Sequence, residues 1–118
     1  MRFCRIRLEQ LNSDDPSPLV IDLPLGTDDK TTSKIPQPGW WGIPKGNNWC
    51  RPVIFKPDGL IDFGGDPEDS HEERYSKMQI FDRVFQIGER FYMEDLEDRG
   101  VHEFVVREVI ELRHEPNS

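Results

Sequence analysis

PVIFKPDGLIDF, Pro52 to Phe63, decides how this chain is read. Two apolar runs, Val53 to Lys56 and Leu60 to Phe63, flank Pro57-Asp58-Gly59. Proline presets the φ of a type I turn's first corner, and aspartate bonds its own backbone nearby. Glycine then accepts the left-handed conformation that completes the reversal. The stretch predicts a β-hairpin.

Toward the N-terminus, Phe3 to Glu9 places Cys4, Ile6 and Leu8 on one face and Arg5, Arg7 and Glu9 on the other, the alternation of a half-buried strand. Leu19 to Leu25 repeats it through Leu19, Ile21, Leu23 and Leu25, and Pro24 confines the end of that strand to an edge. Toward the C-terminus, Arg90 to Leu112 carries apolar flanks around a polar turn, Glu94 to Gly100, and predicts a second hairpin. The apolar phase reverses between Phe104/Val106 and Val109, which marks a β-bulge near Arg107 or Glu108. An amphipathic C-terminal helix through Val101, Val105, Val109 and Leu112 is the competing reading.

Between these segments, Asp66 and Pro67 have the chemistry of a helix start, and a short helix is expected over 67–77, with an acidic loop as its rival. Met78 to Ile87 fits helix and strand periods equally. Five or six strands joined by turns make one mainly β domain over 1–118. The expected form is a small antiparallel sheet curled into a barrel or half-barrel, SH3-like in size, with at most one or two short helices. Residues 113–118 are expected to fray.

Residues 36–52, PQPGWWGIPKGNNWCRP, hold all three tryptophans among prolines and glycines. That density of Pro and Gly argues against a long helix or a central strand, and the segment reads as an ordered loop. Trp40, Trp41 and Trp49, with Lys45, Asn47, Asn48 and Arg51 between and beside them, form a candidate binding loop of rigid aromatics surrounded by hydrogen-bond donors. In extended backbone the adjacent Trp40 and Trp41 point opposite ways, one into the core and one out.

The formal charge of −8 is unevenly placed: residues 1–65 hold eight Lys/Arg and eight Asp/Glu, whereas 66–118 hold seven and fifteen. An acidic surface through Asp66, Glu68, Asp69, Glu72, Glu73, Glu94, Asp95, Glu97 and Asp98 opposes direct nucleic-acid binding, which needs basic groups to displace counterions. It suits a basic protein partner, or simply keeps the chain soluble. No apolar run is long enough for a membrane helix, and the first residues lack a signal peptide's apolar stretch, so a cytoplasmic location is expected, with Cys4 and Cys50 reduced.

Catalytic and metal signatures are sparse. His71, Glu72 and Glu73 cluster, but there is no CxxC, HExxH, EF-hand loop, GxGxxG, P-loop or GxSxG, and no cofactor or metal site is expected. Cys50 beside Arg51 is a candidate thiolate that would need His71 or His102 nearby. Three functions follow: an acidic, non-catalytic protein-binding module such as an inhibitor or immunity-type protein docking a basic partner; an adaptor or subunit recognising a peptide or sugar through the Trp40–Trp49 loop; or a small enzyme with a Cys50 or carboxylate site. Exposed strand edges leave homodimerisation open.

Overall fold

Eight strands form in the order β1 (Arg2–Gln10), β2 (Leu19–Leu25), β3 (Gln37–Gly42), β4 (Cys50–Phe55), β5 (Leu60–Asp62), β6 (Tyr75–Lys77), β7 (Arg90–Asp95) and β8 (Val101–Glu111). Each pairs antiparallel with the next, and β8 returns to β1, closing an up-and-down barrel. This is a computed structural model, and it describes residues 2–11, 18–31, 35–42, 50–63, 75–95 and 100–112.

The two predicted hairpins are present. Phe55 faces Ile61 across the first, Gly59 adopts φ 91°, and the Leu60 amide donates to Asp58 Oδ1 at 3.0 Å, which anchors the turn. Phe91 faces Phe104 across the second, where β8 is a strand and not the competing helix. The bulge falls at Arg107: Arg7 pairs with Glu108 while Leu8 pairs with Val106, so one residue of β8 is extra. That extra residue lets Phe104 and Val106 on one side, and Val109 on the other, share the inner face.

Three expectations are corrected. The chain forms eight strands where five or six were counted, because β3 and the three-residue β6 were not legible. Gln37–Gly42, expected to be loop, is a strand between β2 and β4. Its prolines remove no ladder bond. The Gly42 amide donates toward β2, to Pro18 O at 2.9 Å, so by alternation Pro38 also turns its nitrogen toward β2, where pairing has already stopped at Gly39. Pro52, opposite Trp40, correspondingly turns toward β5, whose ladder begins only at Ile54. Finally, the expected helix over 67–77 ends in strand: Tyr75–Lys77 is β6, between β5 and β7, while 67–74 lies outside the described residues.

Met78 to Ile87 is neither helix nor strand. Turns at Phe81-Asp82 and Ile87-Gly88, with left-handed Asp82 (φ 60°) and Gly88 (φ 96°), drop Met78, Ile80, Phe81 and Phe85 into the core. This segment docks on the β2–β3 connection through Thr31 N to Arg83 O (3.1 Å), Phe85 N to Asp29 O (2.8 Å) and the Lys30–Val84 bridge. The two connections together stopper one end of the barrel. Phe85 stacks on Phe91 at 4.7 Å, and the Arg83 guanidinium lies 4.3 Å over the same ring.

Inward-facing residues of every strand fill the interior. Cys4, Ile6, Leu8, Leu19, Ile21, Leu23, Leu25, Ile61, Phe91 and Phe104 are wholly buried, each large one worth roughly 1.5–3 kcal/mol of burial. Gly39 is required at its place: a Cβ there would sit 2.2 Å from Val20 O and 2.9 Å from the Phe55 ring. Cys4 is a free thiol in this core, and burial pushes its pKa above the usual thiol range, Arg2 opposing and Glu111 adding. Among the described residues no helix is long and apolar enough to cross a membrane. The tail at 113–118 lies outside them.

Gly39→Ala should lower stability by about 1–3 kcal/mol in urea unfolding, the scale of core overpacking; an unchanged midpoint would contradict the β2–β3 approach. In a Cys50→Ser background, native Cys4 should react with iodoacetamide far more slowly than in denaturant. The raised thiol pKa contributes stability that is fully present below the unfolded value of about 8.5 and lost as pH rises past it, because only the unfolded chain ionises readily there. A melting temperature that falls above that pH, and does not fall in Cys4→Ala, is the expected signature.

Candidate functional site

Up-and-down order sorts the connections between the two ends of the barrel. The stoppered end carries residues 26–36, 56–59 and 78–89. The strand ends bracketing 12–17, 43–49, 64–74 and 96–99 all lie at the other end. Intervals at the stoppered end hold five Asp/Glu and four Lys/Arg; those at the opposite end hold nine and three, a net −6 of the chain's −8. The charged residues of the second group lie outside the described residues, but the strand ends that bracket them share one end of the barrel, where the sequence by itself showed only an acidic half.

The inner face changes character at that end. Alternation carries the inward set of β1 from Leu8 to Gln10, of β3 from Gly39 to Trp41, of β4 from Val53 to Arg51, of β7 from Met93 to Asp95, and of β8 from Phe104 to His102. Gln10 Nε2 lies 3.0 Å from His102 Nδ1, a bond in which the amide donates to the ring nitrogen. Arg51 Nε donates to Phe63 O at 2.9 Å, holding β4 against the end of β5. Trp41 forms the floor, 5.8 Å from Phe63 and 6.1 Å from Phe104, the latter edge-on. A polar rim carried by β1, β4, β7 and β8 therefore sits on an aromatic floor.

Of the candidate binding loop, Trp40, Trp41 and Arg51 are described and Lys45, Asn47, Asn48 and Trp49 lie outside the described residues. Trp41 faces Arg51 across β3–β4 on the inner side; Trp40 points outward against Val20. The expected division of the tryptophan pair, one in and one out, is what β3 produces. The outer indole is engaged as well: the Arg5 guanidinium stands 4.6 Å over Trp40 while gripping Asp22 through Nε and Nη2 at 2.8 and 2.9 Å.

Of the acidic set, Glu94 and Asp95 end β7 at the rim, opposite Lys77 and Ser76 of β6. Asp66, Glu68, Asp69, Glu72, Glu73, Glu97 and Asp98 lie outside the described residues, as does His71. His102 is described and bonds Gln10. Among the described residues no group of three His, Cys, Asp or Glu is arranged to hold a metal ion. Sequence reasoning missed Gln10 as a rim residue, and weighed His102 as a scattered metal-ligand candidate or a partner for Cys50. The usable signal was phase: each stands two residues from a core position, Leu8 or Phe104.

Comparison of the chain with protein-family models, with curated proteins and with solved structures finds no match.

The two indoles should separate in unfolding experiments. Trp41→Ala is expected to cost about 2–3 kcal/mol, somewhat less than a fully buried tryptophan, and Trp40→Ala about 1 kcal/mol, mostly the cation–π contact. Equal losses would overturn the inside–outside assignment.

Proposed function

We propose that this chain is a small, non-catalytic protein-binding module, of the inhibitor or immunity type, that docks a basic partner on the end of its barrel opposite the stopper. The observation that carries this reading is the sorting of charge by topology: nine acids and three bases belong to the intervals at that end, against five and four at the other. A like-signed field focused on one face of a small rigid body accelerates encounter with an opposite charge and repels wrong partners. The aromatic floor of Trp41, Phe63 and Phe104 lies beneath a rim that includes Arg51 and Asp95, with Glu94 on the outer face beside it. That layering suits an anchor side chain surrounded by polar contacts. Recognition through Trp40 is less favoured, because Arg5 already occupies its ring face.

Partner capture from the native host, followed by association kinetics, tests the proposal. A basic protein should be recovered, with an association rate that falls at least tenfold between low and physiological salt. The combined reversal Glu72→Lys, Glu73→Lys, Glu94→Lys and Glu97→Lys should slow association at low salt by a similar factor. Salt-insensitive binding, or binding abolished by Trp40→Ala and indifferent to the reversals, would replace this reading with recognition through the tryptophan segment.

A further inference from the structure

The barrel is closed, yet its last strand is longer than its neighbour. β8 runs to Glu111, while its ladder with β7 ends at Arg90–Val105. Two bonds extend that contact, Val106 N to Glu89 O and Gly88 N to Val106 O, both 2.9 Å, and the Ile87-Gly88 turn then carries the chain away. From Arg107 onward, β8 has β1 on one side and, among the described residues, no strand on the other.

Hydrogen-bond parity shows which groups are left open. The Leu112 amide donates to Phe3 O at 2.8 Å, so Leu112, Ile110 and Glu108 turn their backbone groups toward β1. Val109 and Glu111 turn their N–H and C=O the other way. Two residues, spaced as alternate positions of a strand, thus present two donors and two acceptors to a side that no described strand occupies. A groove of about 320 Å³ lies beside them, lined by Arg2, Asp29, Phe85, Gln86, Ile87 and Val109. Ile87 is 72% exposed there. Arg2 is already ion-paired to Asp29, whose other oxygen accepts from Gln86 Nε2 at 3.2 Å. The carboxylate of Glu111, exposed and two residues beyond Val109 on the same face, stands at the lip.

We propose that this overhang is a peptide-docking edge, where an extended basic segment of a partner adds a strand to β8, placing an apolar side chain in the groove beside Val109 and a lysine or arginine against Glu111. Main-chain bonds supply affinity in such strand addition, and alternate side chains supply selectivity. The spacing follows from the pleat: residues opposite Val109 and Glu111 are two apart in the visitor and point to the same face. Charge chooses the occupant. A second copy pairing antiparallel through the same edge would set its Glu111 beside Val109 and Ile87, and would join two chains of net −8. The edge lies at the stoppered end, so it is distinct from the acidic end proposed to dock a partner, and either can fail without the other.

Amide hydrogen exchange tests the premise: Val109 and Glu111 should exchange much faster than Glu108 and Ile110. Titration by NMR with the peptide Thr-Thr-Lys-Thr-Val-Thr-Thr, and with its reversed sequence for parallel addition, tests the occupant. One of the two should shift resonances at 85–87 and 109–111 and slow exchange at Val109 and Glu111. Glu111→Pro, at an exposed residue whose N–H also turns away from β1, removes a donor that no described residue uses, so it should abolish the response with little change in melting temperature. Ile110→Pro, which breaks a bond to Arg5, should lower that temperature markedly. Glu111→Lys should weaken binding about two- to five-fold, the worth of an exposed ion pair. Equal protection of all four amides in the free chain overturns the proposal, as does a peptide response confined to residues 93–102. Protection that appears only with dimerisation assigns the edge to a second copy, and protection lost on deleting residues 113–118 assigns it to the chain's own tail; both overturn the peptide assignment.

Discussion

The seam between β1 and β8 is the contact on which the other features depend. Seven barrel pairings connect strands adjacent in sequence. The eighth joins the two ends of the described chain, Cys4 with Glu111 and Gln10 with Phe104. Such a pairing carries the largest loop-closure cost of the eight. It holds because β1 offers Cys4, Ile6 and Leu8 in strict alternation, and β8 can meet all three only by inserting Arg107. Without the bulge, either Val106 or Val109 would turn out to solvent. The Arg107 side chain, outside, lies 3.4 Å from Glu9 across the seam.

From that closure the two ends acquire different roles. Left-handed Asp29 and Asp82 allow the β2–β3 and β6–β7 connections to fold over one mouth and bond to each other, so Phe81 and Phe85 finish the core from outside the sheet. Hydrophobic burial is spent at that end, and the seam's excess length spills past it as the overhang of β8. At the opposite mouth the inner face turns polar within one residue pair of the core. Gln10, Arg51, Asp95 and His102 stand where another apolar layer would otherwise continue, above an indole that still packs on two phenylalanines. An inward polar layer is costly unless its groups are bonded. Here Gln10 serves His102, and Arg51 serves a backbone carbonyl.

The exterior follows the same economy of paired groups. Arg5 bridges Asp22 and caps Trp40, and Arg90 reaches Glu103 at 2.7 Å. These exposed ion pairs contribute little stability individually. Their effect is to shield the outward apolar side chains Val20 and Val105, which are nearly buried although they face away from the core.

Local pattern sufficed for β1, β2, both hairpins and the bulge, because alternation and turn chemistry act over a few residues and need no distant partner. It also divided Trp40 from Trp41, since the pleat alone dictates opposite directions once the backbone is extended. It failed at β3, where the prolines read as breakers. Whether a missing N–H matters depends on what lies beside it, and only the neighbouring ladders, ending at Gly39 and starting at Ile54, make it harmless. It failed again at Met78 to Ile87, whose apolar residues follow no period because they answer to a barrel mouth and not to their own backbone. The sequence by itself determined an all-β, turn-rich chain with an acidic C-terminal half. Tertiary structure decided that the barrel closes, which residues form the polar rim, and that the strand ends bracketing the acidic intervals share one end, because those properties depend on which strand ends lie together in space.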